Sequence, residues 1–179
     1  MEVIFEGVIR MVNSRGTFTV AFGDAQSGKS HWAQTHLDEI GEQWFGTNNI
    51  VYWDMYAKDA AELASILESD SCAAIVVDHV HDTETRDALV SGIQTAKDNG
   101  KHILLLAQAD PCEMLTWMPL AEWWMFFRIK DAPRLFSDPT IRAICPLHEY
   151  TTNKLPHLGT GEFERVGNEK ALQQRHRLL

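Results

Sequence analysis

The chain has 179 residues, of which 45% are hydrophobic and 23% are charged, and its formal net charge is −9. This length suits one domain with a full hydrophobic core, and the composition excludes a disordered or fibrous chain. No apolar run is long enough to span a membrane, and the acidic residues near the start argue against a signal peptide.

The cysteines and the charge distribution restrict the possible partners. Cys72, Cys112 and Cys145 are odd in number and far apart, which argues against a disulfide framework or a zinc site. Residues 1–100 carry 16 acidic and 6 basic side chains, whereas residues 101–179 carry 9 and 10. If the chain binds nucleic acid, we expect the C-terminal half to face it. Otherwise the acidic half is simply a solvated surface.

The chain begins with residues 1–16, which we predict to be an edge strand or arm. Residues 2–12 are apolar and partly alternating, and residues 13–16 (NSRG) predict a turn. Residues 17–22 (TFTVAF) form a β-branched and aromatic run that is typical of a buried strand.

Residues 23–30 (GDAQSGKS) fit the phosphate-binding loop pattern G-x-x-x-x-G-K-[S/T]. A predicted helix follows over residues 31–40 and ends near Gly41. Backbone N–H groups at such a helix start, together with the helix dipole, favour negative charge. Lys29 would reach the β- and γ-phosphates of a nucleotide, and the Ser30 hydroxyl would hold Mg²⁺. We therefore assign nine residues to nucleotide binding, namely Gly23, Asp24, Ala25, Gln26, Ser27, Gly28, Lys29, Ser30 and His31.

A second nucleotide motif follows two further elements. Residues 49–53 (NIVYW) predict a strand, and residues 59–67 predict a helix because their apolar residues have helical spacing. Residues 73–78 (AAIVVD) form an uninterrupted apolar run, as expected for a strand buried on both faces. Such a strand delivers a carboxylate at its C-terminal end, where Asp78 would bind Mg²⁺ together with Ser30. The alternative is that Asp78 only caps the next helix.

The alternation of strands and helices continues to residue 108. Residues 82–99 predict a helix capped by Asp82 or Thr83, and residues 102–107 (HILLLA) predict a buried strand followed by Gln108. Repeated strand–helix–strand units with continuous apolar strands predict an α/β fold. We expect a doubly wound, mostly parallel sheet of the P-loop type, with an additional strand and with helices on both faces.

The pattern changes after Gln108. Residues 113–127 are rich in Trp and Met, which indicates either a subunit interface or core packing. Residues 124–129 predict the fifth strand. Prolines interrupt the basic stretch of residues 128–142 that follows.

The C-terminal part ends the predicted domain. Residues 155–166 (LPHLGTGEFERV) predict a turn that leads into an edge strand or hairpin. We expect one P-loop NTPase domain over residues 1–166 and a polar, basic tail over residues 167–179.

Four stretches together resemble the FtsK–HerA group of P-loop ATPases, and especially the small viral genome-packaging ATPases. They are GDAQSGKS at residues 23–30, AIVVD ending at Asp78, LLLAQ ending at Gln108, and the stretch of residues 155–166, which looks like the hydrophobic-GEF strand that often closes such domains. The resemblance covers residues 17–166. It implies ATP hydrolysis with Mg²⁺ and a homomeric ring, commonly a hexamer, that moves duplex DNA through its pore. The packaging branch implies a viral capsid vertex as a partner and a cytoplasmic location, in the host cytoplasm or the virion.

The resemblance also implies roles for single residues. Ring-forming ATPases carry an additional strand between their two motif strands, and residues 102–108 have that form. Gln108 would be a sensor for the attacking water or the γ-phosphate, or it merely caps the strand. Many relatives carry Glu directly after the motif aspartate, where this chain has His79. Either His79 positions the water, or Asp82 or Glu84 reaches in from the next turn, or hydrolysis is slow.

A ring ATPase needs an arginine from a neighbouring subunit to stabilise charge in the transition state. Arg128 is the first candidate for this role, followed by Arg134 and Arg86. A surface role is the alternative for each of them.

Two other classes of protein stay open. An AAA+ module similar to DnaA, acting as a regulator or loader, would require a helical lid after residue 130. A small nucleotide kinase would require an arginine-rich lid, for which residues 128–142 are the candidate. No base-reading motif separates ATP from GTP in this sequence.

Overall fold

A computed structural model describes residues 15–54, 56, 59–80 and 82–168. Nearly all of the predicted N-terminal strand or arm and of the predicted basic tail lies outside the described residues. The described chain divides into two compact units, one of residues 15–18 with 33–104 and one of residues 19–32 with 105–168.

Six strands form one sheet. They are β1 (Phe18–Gly23), β2 (Ile50–Asp54), β3 (Ala74–Asp78), β4 (His102–Gln108), β5 (Trp123–Phe126) and β6 (Glu164–Gly167). The order across the sheet is β2-β3-β4-β1-β5-β6. The pairs β2–β3 and β1–β5 are parallel, and the pair β5–β6 is antiparallel. The predicted α/β fold with a mostly parallel sheet is therefore confirmed, and β4 stands between β1 and β3 as the additional strand.

Most of the helices are short. They are α1 (Lys29–Thr35), α2 (Leu37–Glu39) with the π-helix Ile40–Phe45, α3 (Ala60–Glu68), α4 (Thr83–Asp98), α5 (Pro111–Trp117), α6 (Ala132–Leu135), α7 (Pro139–Ile144) and α8 (Glu149–Lys154), with 3₁₀ turns at Met118–Leu120 and Leu155–His157. Within the described ranges, no helix combines the length and the apolar character that crossing a bilayer requires.

The first unit contains β2, β3 and the two longer helices. β2 and β3 run in parallel register to their last residues, so that Asp54 lies opposite Asp78. Helices α3 and α4 pack against each other. Each begins with an aspartate N-cap, because the carboxylates of Asp59 and Asp82 each accept a backbone N–H bond of 2.8 Å. The cap of α4 is therefore Asp82 rather than Thr83.

The second unit is organised around β1, whose residues are all buried. β5 pairs with β1 in register to Phe22 and Phe126, and these two rings stack with their centroids 6.1 Å apart. β6 adds an antiparallel edge to β5. The pairing of β1 with β5 places the residues that follow these two strands next to each other.

Two predicted boundaries are wrong. The helical segment after the glycine-rich loop does not end near Gly41, because it continues as a π-helix to Phe45. Gly46 closes it at a left-handed φ of 67° and donates its N–H to the Gly41 carbonyl, which is a common way for a helix to end. The fifth strand ends at Phe126 rather than at residue 129.

Short helices occupy much of residues 110–154, including the stretch of residues 128–142 that prolines interrupt. Asp110 caps α5 and Asp138 caps α7, and in both cases proline follows directly. Proline suits the first helical position, because that position needs no backbone donor and favours the fixed φ of proline. Residues 132–154 thus carry three helices of four to six residues before the edge strand.

Candidate phosphate-binding site

The loop of residues 23–30 has the backbone geometry of an anion-binding nest, and α1 begins within it. The Ser27 N–H donates to the Asp24 carbonyl at 3.2 Å, which closes the first turn of the loop. Gln26 and Gly28 have left-handed φ values of 62° and 93°. Such conformations turn neighbouring N–H groups toward one concave side, where an anion binds. The local backbone therefore suits a phosphate group.

Two glycines are required by close contacts around the loop. A Cβ on Gly23 would lie 2.8 Å from the Cβ of Phe127. A Cβ on Gly28 would lie 2.7 Å from the backbone nitrogen of Gly161 and 2.8 Å from Cγ2 of Thr160. These separations are shorter than non-bonded carbon contacts allow. The pattern therefore places glycine where neighbouring segments touch the loop.

Lys29 lies inside the loop and is 7% exposed. Its ammonium donates to the carbonyls of Gly23 and Asp24 at 2.8 Å and 3.0 Å, and to the Ser27 hydroxyl at 3.3 Å. A buried cation needs such oxygen partners, because an unpaired charge is very costly away from water. The loop thus carries a fixed positive charge beside its backbone donors.

Residues 127–130, which follow β5, form a first support for the loop. The Phe127 N–H donates to the Phe22 carbonyl at 2.8 Å, and the Asp24 N–H donates to the Arg128 carbonyl at 3.0 Å. The Lys130 N–H in turn donates to the Asp24 carboxylate at 2.8 Å. We call residues 127–130 the β5 exit. Its backbone fixes the side of the loop that contains Asp24.

The GTGE turn (residues 159–162) forms a second support. The Gly161 N–H donates to the Ser27 carbonyl at 3.1 Å. Glu162 closes the turn, because its carboxylate accepts the Gly159 N–H at 2.8 Å. The stretch that resembles the hydrophobic-GEF strand therefore contacts the loop through a turn, and β6 begins only after it.

An aromatic cluster joins both supports to α1. Trp32 of α1 lies edge-on to Phe127 and Phe163, with centroid distances of 5.5 Å and 5.1 Å. Phe127 and Phe163 also contact each other at 5.3 Å. Aromatic pairs in these arrangements stabilise beyond the area that they bury. The cluster holds the start of the helix, the β5 exit and the GTGE turn together.

The end of β4 also contacts the loop. The Ala109 N–H donates to the Gly23 carbonyl at 3.2 Å, and Gln108 precedes it with a partly exposed side chain. Gln108 thus lies at the start of the loop. Its role as a sensor of the attacking water or the γ-phosphate stays a prediction.

In the first unit, Asp78 is the centre of a polar cluster. Asp78 is 3% exposed, and its carboxylate accepts the Tyr52 hydroxyl at 2.5 Å and the His79 N–H at 2.9 Å. The Nδ1 of His79 lies 3.1 Å from Oδ1 of Asp54 and 3.4 Å from Oδ2 of Asp78. Burial, and after it the hydrogen bond to Asp78, raises the pKa of Tyr52. Tyr52 is therefore a hydroxyl donor throughout the neutral range.

The three candidates for positioning water differ in their placement. His79 lies beside Asp78 and has a left-handed φ of 59°, which is uncommon for a residue with a side chain. Asp82 serves as the cap of α4, and the hydrogen bonds that it accepts there lower the pKa of its carboxyl. Glu84 is exposed in the first turn of α4. Of these three candidates, His79 is the one whose side chain lies beside Asp78.

Other predicted residues lie nearer the surface. Ala25, Gln26 and His31 are exposed, and Ser30 is partly exposed. The side chain of Arg134, the second arginine candidate, is also exposed.

The sequence patterns missed two parts of this arrangement. Tyr52 and Asp54 belong to the Asp78 cluster, and the one signal for them was that β2, like β3, ends in an aspartate. The contact between the GTGE turn and the loop had no local signal. It joins residues more than a hundred positions apart.

A mostly parallel sheet with an additional strand, and a glycine-rich loop between β1 and the next helix, is the fold of P-loop ATPases. No protein-family model matches the sequence, and neither does any curated protein. Among solved structures, the chain is similar to the genome packaging NTPase B204 from Sulfolobus turreted icosahedral virus 2. The complex of that protein with AMPPCP gives a TM-score of 0.54 at 13% identity, and the complex with ATP-gammaS gives 0.53 at 14%. Each alignment covers 87% of this chain and 93% of the other. The predicted resemblance is thus confirmed at the level of the fold.

Proposed function

We propose that this chain binds and hydrolyses ATP, with Mg²⁺, at the loop of residues 23–30. The observation that carries the proposal is the buried Lys29 ammonium within a loop whose backbone forms an anion nest. Backbone donors and a fixed positive charge together suit the phosphate tail of a nucleotide. The fold supports the same conclusion, because the similar viral protein is described as an NTPase in complex with ATP-gammaS.

The proposal gives each motif residue a role. The loop N–H groups and Lys29 would bind the phosphates, and the Ser30 hydroxyl and the Asp78 carboxylate would hold Mg²⁺. These oxygens fit the metal, since Mg²⁺ binds through one or two protein oxygens together with waters and phosphate oxygens. Asp78 also fits the role because Tyr52 and His79 already orient its carboxylate. When bound, Mg²⁺ neutralises charge that develops on the phosphates.

Two further side chains complete the proposed site. Gln108 would hydrogen-bond the attacking water or the γ-phosphate, and His79 would position the water where many relatives use glutamate. If variants of His79 retain normal turnover, Glu84 is the residue that would position the water. Each role is a hydrogen bond to the reacting groups, which is how residues of this kind contribute to phosphoryl transfer.

The finer proposal is a nucleic-acid motor. We expect a homomeric ring, commonly a hexamer in the group that the chain resembles, that moves duplex DNA. The specific setting would be viral genome packaging at a capsid vertex, in the host cytoplasm or the virion. The support is the order of the four motifs and the similarity in fold to a genome packaging NTPase. Because one copy has a formal net charge of −9, binding to nucleic acid would require several copies that together place their more basic C-terminal halves on one surface.

An ATPase assay with and without duplex DNA, combined with light scattering, tests both the proposed ATPase and the proposed nucleic-acid motor. We expect the natural chain to hydrolyse ATP faster with DNA and to form multimers. Lys29→Ala should lower turnover by about 10²–10³-fold, as the loss of an oriented charge at phosphates does. Lys130→Ala is the matched control, because it removes an exposed positive charge near the loop and keeps the backbone donor to Asp24.

The outcomes separate the proposals. ATP turnover that no nucleic acid changes, by a strictly monomeric protein, would remove the motor and leave the ATPase. Absence of both nucleotide binding and turnover would remove both. Phosphate transfer to a nucleoside monophosphate in a coupled assay would instead identify a nucleotide kinase.

A further inference from the structure

The backbone of Arg128 is fixed to the phosphate-binding loop of its own chain. Its carbonyl accepts the Asp24 N–H at 3.0 Å, and the residues on either side are held as well, through the contacts of Phe127 with Phe22 and of Lys130 with Asp24. The backbone of Arg128 therefore lies beside the phosphate-binding loop of its own subunit. An arginine that acts on a neighbouring subunit would instead direct its side chain away from that loop.

The side chain of Arg128 follows the same direction. Its Nη2 donates to the carbonyl of Gln26, at the exposed tip of the loop, at 3.3 Å. Its Nε is buried and has no hydrogen-bond partner among the described residues. The guanidinium carries N–H donors besides this enclosed Nε and the N–H bonded to Gln26, and these donors remain for a ligand. Phosphate oxygens are well matched, because a guanidinium binds them through two parallel N–H bonds.

From this geometry we infer that Arg128 binds the phosphates held by the loop of its own subunit. The inference rests on the proposed function and names a further binding residue at that site. Arg128 then adds a second fixed positive charge to that of Lys29, and it does so from the β5 exit. Its hydrogen bond to Gln26 keeps the guanidinium directed at the loop tip.

Nucleotide binding gives the first test. Fluorescent ATP-analogue titrations at protein concentrations where light scattering shows single subunits should give about 10- to 100-fold weaker binding for Arg128→Ala. Arg128→Lys keeps the charge without the paired donors, so it should recover part of the affinity. Arg128→Gln serves if the alanine variant does not fold, and Lys130→Ala should bind as the natural chain does.

Mixing variants gives the second test, because it separates action within a subunit from action between subunits. Equal amounts of Lys29→Ala and Arg128→Ala chains, with co-assembly verified by pull-down of a tagged copy, should show no ATP turnover above the sum of the two alone. If Arg128 acted on its neighbour, an Arg128→Ala subunit with its intact loop would be served by the arginine of a Lys29→Ala subunit, and turnover would return.

Recovered turnover in the mixture, or unchanged nucleotide affinity of Arg128→Ala at single-subunit concentrations, would overturn the inference and leave the proposed ATPase intact. A natural chain that binds no nucleotide would overturn both.

Discussion

Replacing Gly28 with alanine tests whether the GTGE turn packs on the phosphate-binding loop as described. Gly28 has a φ of 93°, and a Cβ there would come within 2.7 Å of Gly161 N and 2.8 Å of Thr160 Cγ2. The Gly161 N–H is itself bonded to the Ser27 carbonyl. The two backbones therefore cannot separate without losing that hydrogen bond.

Two costs add in this variant. A left-handed backbone costs a non-glycine residue about 1–2 kcal/mol, and an extra carbon in a packed contact costs about 1–3 kcal/mol. Gly28→Ala should therefore lower the free energy of unfolding by about 2–5 kcal/mol. Gly100 is a matched control, because its φ is 78° and an added Cβ would meet nothing within 4 Å. Gly100→Ala should show the backbone cost alone, about 1–2 kcal/mol.

Urea unfolding followed by tryptophan fluorescence measures both free energies. Adding Thr160→Ser to Gly28→Ala removes the Cγ2 contact and keeps the contact with Gly161, so it should recover part of the loss. Equal destabilisation by Gly28→Ala and Gly100→Ala would refute the packing of the GTGE turn on the loop. A Thr160→Ser change that recovers nothing would place the collision at the backbone alone.

Three other substitutions test separate contacts. Tyr52→Phe removes the donor to Asp78 and should lower the free energy of unfolding by about 1–3 kcal/mol. Because the pKa of Tyr52 is raised in the fold, this difference should be constant below pH about 10 and shrink above it, and urea titrations giving equal differences at pH 8 and pH 11 would contradict this. Asp82→Ala should lower the melting temperature at pH 7, whereas Asp82→Asn should not. Because capping lowers the pKa of Asp82, the difference between the natural chain and Asp82→Ala should begin to shrink only as the pH falls below about 4, toward the lowered pKa. Phe163→Ala should lower the free energy of unfolding by about 1–3 kcal/mol in urea. Phe163→Leu should also lower it, because leucine keeps much of the apolar area but not the ring contacts; a leucine variant as stable as the natural chain would argue against specific ring contacts.

The strands were predictable because each depends on a local property. β3 and β4 are continuous apolar runs that end in one polar residue, and a strand buried on both faces requires that pattern. α3 was predictable because its apolar residues have helical spacing, and α4 because Asp82 or Thr83 could cap a segment with apolar residues on one face. Tertiary contacts shift the bounds of these elements by one or two residues, but each predicted strand is a strand and each predicted helix is a helix.

The short helices were missed because the same residues support two interpretations. Asp110 followed by proline also fits the start of a turn, and the prolines after residue 130 interrupt the basic stretch. An aspartate cap with proline at the first helical position is equally a helix start. The signal was present, but a helix of six or seven residues shows too few apolar positions to establish a period.

The loop itself was predictable, whereas its surroundings were not. Gly23, Gly28 and Lys29 act through the backbone geometry of eight consecutive residues, which a motif can express. The contacts of Arg128 with Gln26, and of Gly161 with Ser27, depend on how distant strands pair. Spacing along the chain carries no information about such pairs.

The antiparallel edge of the sheet connects these distant contacts. β5 and β6 pair with Phe126 opposite Glu164, so the point where β5 ends lies beside the point where β6 begins. The β5 exit follows the first of these residues, and the GTGE turn lies just before the second. One register therefore brings both supports to the loop, and a slip of one residue in β6 would reverse its side chains and withdraw the turn. The register of β6 against β5 therefore determines where the GTGE turn meets the phosphate-binding loop, and the shape of the loop depends on that register.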